Sequence, residues 1–189
     1  MTQPTFFVEE DKILTSLFDE GLDNLHLWKP GATRLFTERL LTLIDEDFHS
    51  KITIHELFSL KAEYGLKGIH IDNVGAAVPE GYRGRLTKTC NTIDELREAK
   101  RHCDYVFLND TFCSSHTTQQ LEEASRRGII DKKVYAFGGI NEDTIRAARD
   151  IGFGGVVVRE DLWNRFNIHK ESDYKALMQH FDRLRRLTS

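Results

Sequence analysis

The segment at residues 134–158 limits the possible folds of this chain more than any other part of the sequence. A run of β-branched and aromatic residues, Val134–Phe137, stops at the pair Gly138-Gly139. Asn141 can then cap a helix with acidic residues in its first turn, and that helix ends at Gly152 before a second apolar run. Two apolar strands joined by one helix form a parallel βαβ unit, so the segment predicts a parallel α/β fold.

The same segment also suggests a class of ligand. A glycine pair lets the backbone approach a bound group closely, and the first N–H groups of a helix attract anions. Gly138 and Gly139 lie between a strand and a helix start. The segment therefore predicts a phosphate-binding turn.

The alternation of apolar runs with helical segments extends back to the N-terminus. We predict eight strands, at residues 6–8, 25–27, 52–54, 68–71, 85–87, 104–108, 134–137 and 156–158. Eight units favour a closed (β/α)8 TIM barrel over an open doubly wound sheet. Because no Pro- or Ser-rich linker interrupts the pattern, residues 1–189 are expected to form one domain. The amphipathic tail from Asp173 is expected to pack on the barrel as its last helix, with a partner-binding helix as the alternative.

Composition narrows the range of partners and compartments. The net charge is −4 and no basic patch dominates, which argues against a nucleic-acid partner. The sequence shows neither a signal-peptide pattern nor a run long enough to span a bilayer, so we expect a cytoplasmic protein without membrane association. Cys90, Cys103 and Cys113 lie in no CxxC spacing, which favours structural thiols over a reactive thiol or a metal site.

In a TIM barrel the functional site lies at the carboxyl ends of the strands. Four histidines, at positions 26, 55, 70 and 116, lie in or near predicted strands or their carboxyl ends. Such a cluster could bind a transition metal or transfer protons, although no HxH or HExxH spacing supports a metal. Structural hydrogen bonding is the alternative for each histidine.

Several motifs, taken in order, resemble the thiamine phosphate synthase family, which includes the TenI-type thiazole tautomerases. They are His26-Leu27-Trp28-Lys29-Pro30, Gly68-Ile69-His70-Ile71, Asp104-Tyr105-Val106-Phe107 and the glycine-containing block at residues 136–158. The resemblance implies a (β/α)8 barrel of thiamine biosynthesis, often a homodimer. The implied reaction joins an aminopyrimidine pyrophosphate to a thiazole phosphate, with Mg²⁺ as cofactor.

The resemblance also implies roles for individual residues. Thiazole phosphate would bind at Gly138, Gly139, Val158 and Arg159, where Arg159 either contacts the phosphate or fills its place. The expected catalytic residues are His26, Lys29, His70 and His116; the pocket residues are Trp28, His55, Thr87 and Asn91; the Mg²⁺ ligands are Glu56 and Asp72.

The sequence departs from the family pattern in three places. Trp28 replaces an arginine, the loop before residue 119 is shortened, and charged residues 159–161 replace small ones. These changes leave two hypotheses open. The chain is either an enzyme acting on thiazole phosphate or a catalytically degenerate paralogue that binds a phosphorylated small molecule or a protein partner.

Overall fold

The computed structural model describes residues 1–72, 77–165 and 171–188, which form a curled parallel sheet surrounded by helices. Seven strands pair in chain order from β1 to β7, and every pairing is parallel. The elements are α1 (Glu10–Asp19), β1 (Leu25–Leu27), α2 (Arg34–Leu43), a 3-10 helix (Glu46–Lys51), β2 (Ile52–Ile54), α3 (Leu60–Glu63), β3 (Gly68–Ile71), β4 (Arg85–Cys90), α4 (Ile93–His102), β5 (Tyr105–Leu108), α5 (Thr118–Arg126), β6 (Val134–Phe137), α6 (Glu142–Ile151), β7 (Gly155–Val157), α7 (Glu160–Trp163) and α8 (Glu171–Leu187).

Successive side chains along each strand alternate between an apolar core outside the sheet and a polar interior inside it. Leu25 and Leu27 on β1, like their counterparts on the other strands, join the apolar core between the sheet and the helices. The residues between them, such as His26 on β1 and His70 on β3, are fully buried and polar. Because successive side chains of a strand point to opposite faces, these polar residues lie inside the curled sheet.

The predicted first strand at residues 6–8 is wrong, and the sheet has seven strands rather than eight. Phe6 packs against Phe36 with ring centroids 6.0 Å apart, Phe7 meets Trp163 edge-on at 5.9 Å, and Val8 is 76% exposed. The aromatic side chains therefore hold this segment against helices instead of leaving its backbone free to pair.

The gap between β7 and β1 is bridged by two residues. The Met1 nitrogen donates to the Val158 carbonyl at 2.9 Å, and the Thr2 N–H donates to the His26 carbonyl at 3.0 Å. The Thr2 hydroxyl also bonds to the Trp28 backbone. Residues 1–2 thus contact both edges of an otherwise open sheet.

Helix α8 covers the outside of the sheet through Leu177 and Leu184, which are buried as the amphipathic tail predicted. Within the part of the chain that the structure describes, no helix combines the length and apolar character needed to cross a bilayer.

A buried ion pair fixes the segment before α1. The Lys29 ammonium donates to Glu10 Oε1 at 2.6 Å and to the Thr5 carbonyl at 2.9 Å, and it lies 4.7 Å from the centre of the Phe6 ring. Both charged side chains are almost completely buried. Burial raises the pKa of Glu10 and lowers that of Lys29, while each charge partly offsets the shift of the other.

This pair yields a stability prediction. Lys29→Met should lower the free energy of unfolding by about 3–5 kcal/mol, because it leaves the Glu10 carboxylate buried without a counter-charge. Urea denaturation measures the change. The double variant Glu10→Gln/Lys29→Met should recover most of the loss, whereas Lys12→Met, which removes the exposed Lys12–Glu9 pair, should have no measurable effect. A Lys29→Met protein as stable as the parent would contradict this assignment.

Candidate functional site

The carboxyl ends of the strands surround a mouth cavity of about 780 Å³. Its lining includes many residues that the sequence placed at strand ends: Trp28, His55, Glu56, Asp72, Asn91, Gly138 and Arg159. Parallel strands bring these positions to one edge although they are far apart in the sequence. The predicted location of the site is therefore the location at which a large polar cavity occurs.

The glycine turn after β6 has a conformation and packing that a side chain would disturb. Gly138 and Gly139 have φ values of 94° and 68°, a region that L-residues rarely adopt. A Cβ on Gly139 would lie 2.6 Å from the Phe112 carbonyl oxygen. The turn borders a second cavity of about 320 Å³, beside the start of α6. This is the geometry expected of an anion-binding turn.

The start of α6 is well ordered by its own side chains. Asn141 Oδ1 accepts hydrogen bonds from the N–H groups of Asp143 and Thr144, and the Thr144 hydroxyl bonds to the Gly139 carbonyl at 2.8 Å. This capping box fixes the glycine turn relative to the helix.

Arg159 lies at the boundary between the two cavities. Its guanidinium stacks 5.0 Å from the centre of the Trp28 ring and 5.2 Å from that of Phe137. It also forms an ion pair with Glu160 at 2.8 Å. The arginine therefore borders the glycine turn and the mouth together, within reach of both of the roles that the sequence left open.

A continuous hydrogen-bonded chain runs from the mouth into the interior of the curled sheet. The Asp72 carboxylate lies 3.0 Å from His55 Nδ1, and His55 Nε2 lies 2.8 Å from His26 Nδ1. His26 Nε2 is 2.8 Å from the Tyr105 hydroxyl, which accepts a hydrogen bond from Asn24 at 2.7 Å. The chain is partly exposed at both ends, at Asp72, whose side chain is 34% exposed, and at Asn24, while His55, His26 and Tyr105 between them are buried.

The partners fix the direction of every proton in this chain. A carboxylate only accepts hydrogen bonds, so His55 carries its proton on Nδ1 and accepts at Nε2. His26 consequently also carries its proton on Nδ1 and accepts from Tyr105 at Nε2. All donors therefore point toward Asp72.

His70 is satisfied separately by β4. The Thr87 hydroxyl donates to the Ile69 carbonyl at 3.2 Å, so it accepts from His70 Nδ1 at 2.7 Å. The Thr89 hydroxyl lies 2.8 Å from His70 Nε2, which also lies 3.5 Å from Asp72 Oδ1. All ring nitrogens of the three interior histidines thus have partners, as a buried polar network requires.

Burial keeps these histidines neutral. Desolvation lowers the pKa of His55 to about 3, and it lowers the pKa values of His26 and His70 well below the ordinary value, with repulsion between neighbouring imidazoles as the second cause. Burial also raises the pKa of Asp72.

The three histidines are close enough to suggest a metal site, since their candidate ligand atoms lie within 4.8 Å of one another. The detailed geometry favours hydrogen bonding instead. His26 Nδ1 and His55 Nε2 are 2.8 Å apart, which is shorter than two nitrogens on one tetrahedral zinc would be. The rings of His55 and His70 are stacked at 22°, so their lone pairs run side by side and do not converge on one ion.

The mouth carries more negative than positive groups. Glu56, Asp72, Asp110 and Glu160 line it, whereas Arg159 is the sole lysine or arginine among its described lining residues. Three of these acids have partners: Glu56 accepts a hydrogen bond from the Gly31 N–H at 3.0 Å, Glu160 is paired with Arg159, and Asp72 lies against His55. The mouth therefore offers little protein charge to neutralise a pyrophosphate.

Three predicted site residues line neither the mouth nor the cavity at the glycine turn and take no part in the histidine network. Lys29 is held by Glu10; His116 is half-buried in the turn before α5; and the Val158 carbonyl is bonded to Met1.

Buried Cys90 has a pKa raised to about 11 by desolvation, as expected for a structural thiol.

Sequence reasoning missed Tyr105 and Thr89 as partners of the histidines, and Asn24 as the donor to Tyr105. The available signal was the alternation of β5, which places Tyr105 and Phe107 on the same inner face as His26.

The neutral histidines predict strong acid sensitivity. The unfolded chain binds protons below about pH 6.5, whereas the folded interior does not, so the stability present above pH 6.5 falls as the pH drops toward about 3. Each interior histidine should contribute a slope of about 1.4 kcal/mol per pH unit in this window.

Urea denaturation between pH 7 and pH 4.5 measures this slope. His26→Gln should reduce it by the contribution of one histidine, while His102→Gln, at an exposed position, should not change it. Equal slopes in the parent and His26→Gln would show that His26 is charged in the folded protein.

The chain is similar to the crystal structure of thiamine phosphate pyrophosphorylase from Bacteroides thetaiotaomicron, with 47% sequence identity and a TM-score of 0.93 over 98% of this chain and 94% of that chain. It is also similar to thiamine phosphate pyrophosphorylase from Pyrococcus furiosus, with 16% identity and a TM-score of 0.74 over 95% of this chain and 89% of that chain. No protein-family model and no curated protein matches the chain. The first similarity is sufficient to assign a family, and the second supports the fold alone.

Proposed function

This chain belongs to the thiamine phosphate pyrophosphorylase family, and from that membership we propose that it joins an aminopyrimidine pyrophosphate to a thiazole phosphate. The observation that carries the proposal is the glycine turn at Gly138 and Gly139, with its adjoining cavity, at the mouth of the sheet. Thiamine phosphate and pyrophosphate would be the products.

The thiazole phosphate would bind at the glycine turn. Backbone N–H groups and the start of α6 supply the positive end of a helix dipole, and Arg159 supplies a guanidinium beside them. The heterocyclic rings would then extend into the mouth toward Trp28 and the partly exposed Asp72. This arrangement places the reacting rings above the polar interior.

We propose that Mg²⁺ binds at Glu56. Carboxylates and amide oxygens are the ligands that Mg²⁺ takes in proteins, and Glu56, Asp110, Asn91 and Asn109 supply such atoms around the mouth. Bound Mg²⁺ would offset the charge of the departing pyrophosphate. Asp72 suits this purpose less well, because the groups that contact its carboxylate are imidazoles.

We also infer that the chain keeps the closed eightfold barrel of its family, with residues 1–2 in place of a full first strand. The hydrogen bonds from Met1 to Val158 and from Thr2 to His26 support this inference.

Binding without turnover remains the second candidate function. The motivating observation is the shortage of positive charge: Trp28 occupies the position of a family arginine, and Arg159 is paired with Glu160. A protein of this kind would retain the phosphate site and lack the reaction.

The decisive experiment incubates the purified protein with both heterocyclic phosphates and Mg²⁺ and measures thiamine phosphate by chromatography. We expect product above the background without protein. Absence of product together with calorimetric binding of thiazole phosphate would support the second candidate, and absence of both would refute the family-type function.

A glycine variant tests where the phosphate binds. Gly139→Ala should weaken thiazole phosphate binding at least tenfold, because its Cβ would displace the turn from Phe112. Gly65→Ala is the matched control, since Gly65 has a similar φ of 63° and no atom within 4 Å of the added Cβ. Calorimetry on folded samples measures both. Equal affinities for the two variants would place the phosphate elsewhere.

A further inference from the structure

Asp72 is the carboxylate that connects the mouth to the barrel interior. Its side chain is 34% exposed to the mouth, and its other contacts are with the interior rings of His55 and His70. Within the described part of the chain, no lysine or arginine lies within 4 Å of it. A partly buried carboxylate without a cationic partner is an energetically costly arrangement, which a bound cation would relieve.

The hydrogen-bonded chain behind Asp72 keeps this negative charge in place. His55 donates its Nδ1 proton to the carboxylate, and His26 and Tyr105 fix that tautomer from below. None of these groups supplies a positive charge, because the imidazoles are neutral. The chain therefore orients the carboxylate and leaves its charge available to the mouth.

The glycine turn has the opposite preference. Gly138 and Gly139 lie beside the start of α6, where backbone N–H groups favour an anion, and Arg159 lies next to them. Two acids, Asp110 and Glu160, also border this turn, and Glu160 is paired with Arg159. The mouth thus combines a turn that favours an anion with the carboxylate of Asp72. A ligand that suits both carries a phosphate and a positively charged ring.

We propose that Asp72 is the recognition site for a cationic heterocycle, so that this mouth selects phosphorylated ligands with a positively charged ring over neutral rings of the same shape. The inference rests on the proposed thiazole phosphate function. It adds a charge preference and assigns that preference to a single carboxylate. His55, His26 and Tyr105 act as positioning residues for Asp72.

A matched ligand pair isolates the effect of charge. Thiazole phosphate and its N-methylated thiazolium phosphate share the phosphate and the ring, and they differ by one methyl group and one positive charge. Calorimetry at one pH and salt concentration gives both dissociation constants. We expect the thiazolium to bind about tenfold or more tightly than the neutral thiazole.

Variants then test the residue. Asp72→Asn removes the charge but keeps an oxygen that can accept from His55, and it should bring the ratio of the two dissociation constants to about one. Asp72→Ser is a second variant in case the first misfolds. Asp47→Asn, which removes an exposed charge on the 3-10 helix before β2, should keep the ratio of the parent.

Each outcome separates the two proposals. If the neutral thiazole binds but the parent does not prefer the cation, or Asp72→Asn keeps the preference, the role of Asp72 is refuted while the phosphate site stands. If the preference is found but no thiamine phosphate is formed, the charge selection stands and the synthase activity falls. Binding of neither ligand refutes both.

Discussion

The hydrogen bond between His26 and His55, 2.8 Å long at the centre of the curled sheet, is the interaction on which the interior depends. Two protonated imidazoles could not form this hydrogen bond, because one ring must accept, and desolvation lowers the pKa values of both rings so that both are neutral. Neutrality in turn requires each ring nitrogen to have a fixed donor or acceptor. Tyr105 and Asp72 meet that requirement for the outer nitrogens of the pair, and the interior of the curled sheet is therefore polar without carrying charge except at Asp72.

Much of the fold could be predicted from the sequence, because parallel strands buried on both sides leave short apolar runs separated by helices. All seven observed strands coincide with predicted runs. The run at residues 6–8 failed for a physical reason: an apolar triplet specifies burial but not the partner, and the rings of Phe6 and Phe7 are buried against α2 and α7. The two-residue bridge at Met1–Thr2 is too short to leave a periodic signal.

The site could be predicted in position but only partly in contacts. Strand ends converge in a barrel whatever their sequence, so the mouth residues followed from the fold. Lys29 is a contact that the sequence did not predict. It directly follows the mouth residue Trp28, yet its ammonium pairs with Glu10, which is 19 residues away in the sequence. Nothing in the sequence around Glu10 indicates this pairing. The histidine network could be predicted in part, because the alternation of side chains along a strand shows which positions point inward. The choice between a metal site and hydrogen bonds depended on ring angles and nitrogen distances, which the sequence does not give.

The glycine turn can be retained while the side chains around it differ from the family pattern. Backbone N–H groups such as those at Gly138 and Gly139 can bind an anion whatever the nearby side chains are, so a turn of this kind tolerates changes elsewhere in the mouth. Pyrophosphate binding, in contrast, depends on side-chain cations, and only Arg159 remains among the described lining residues. With four carboxylates and one arginine among its described lining residues, the mouth is expected to favour a ligand that brings positive charge together with its phosphate.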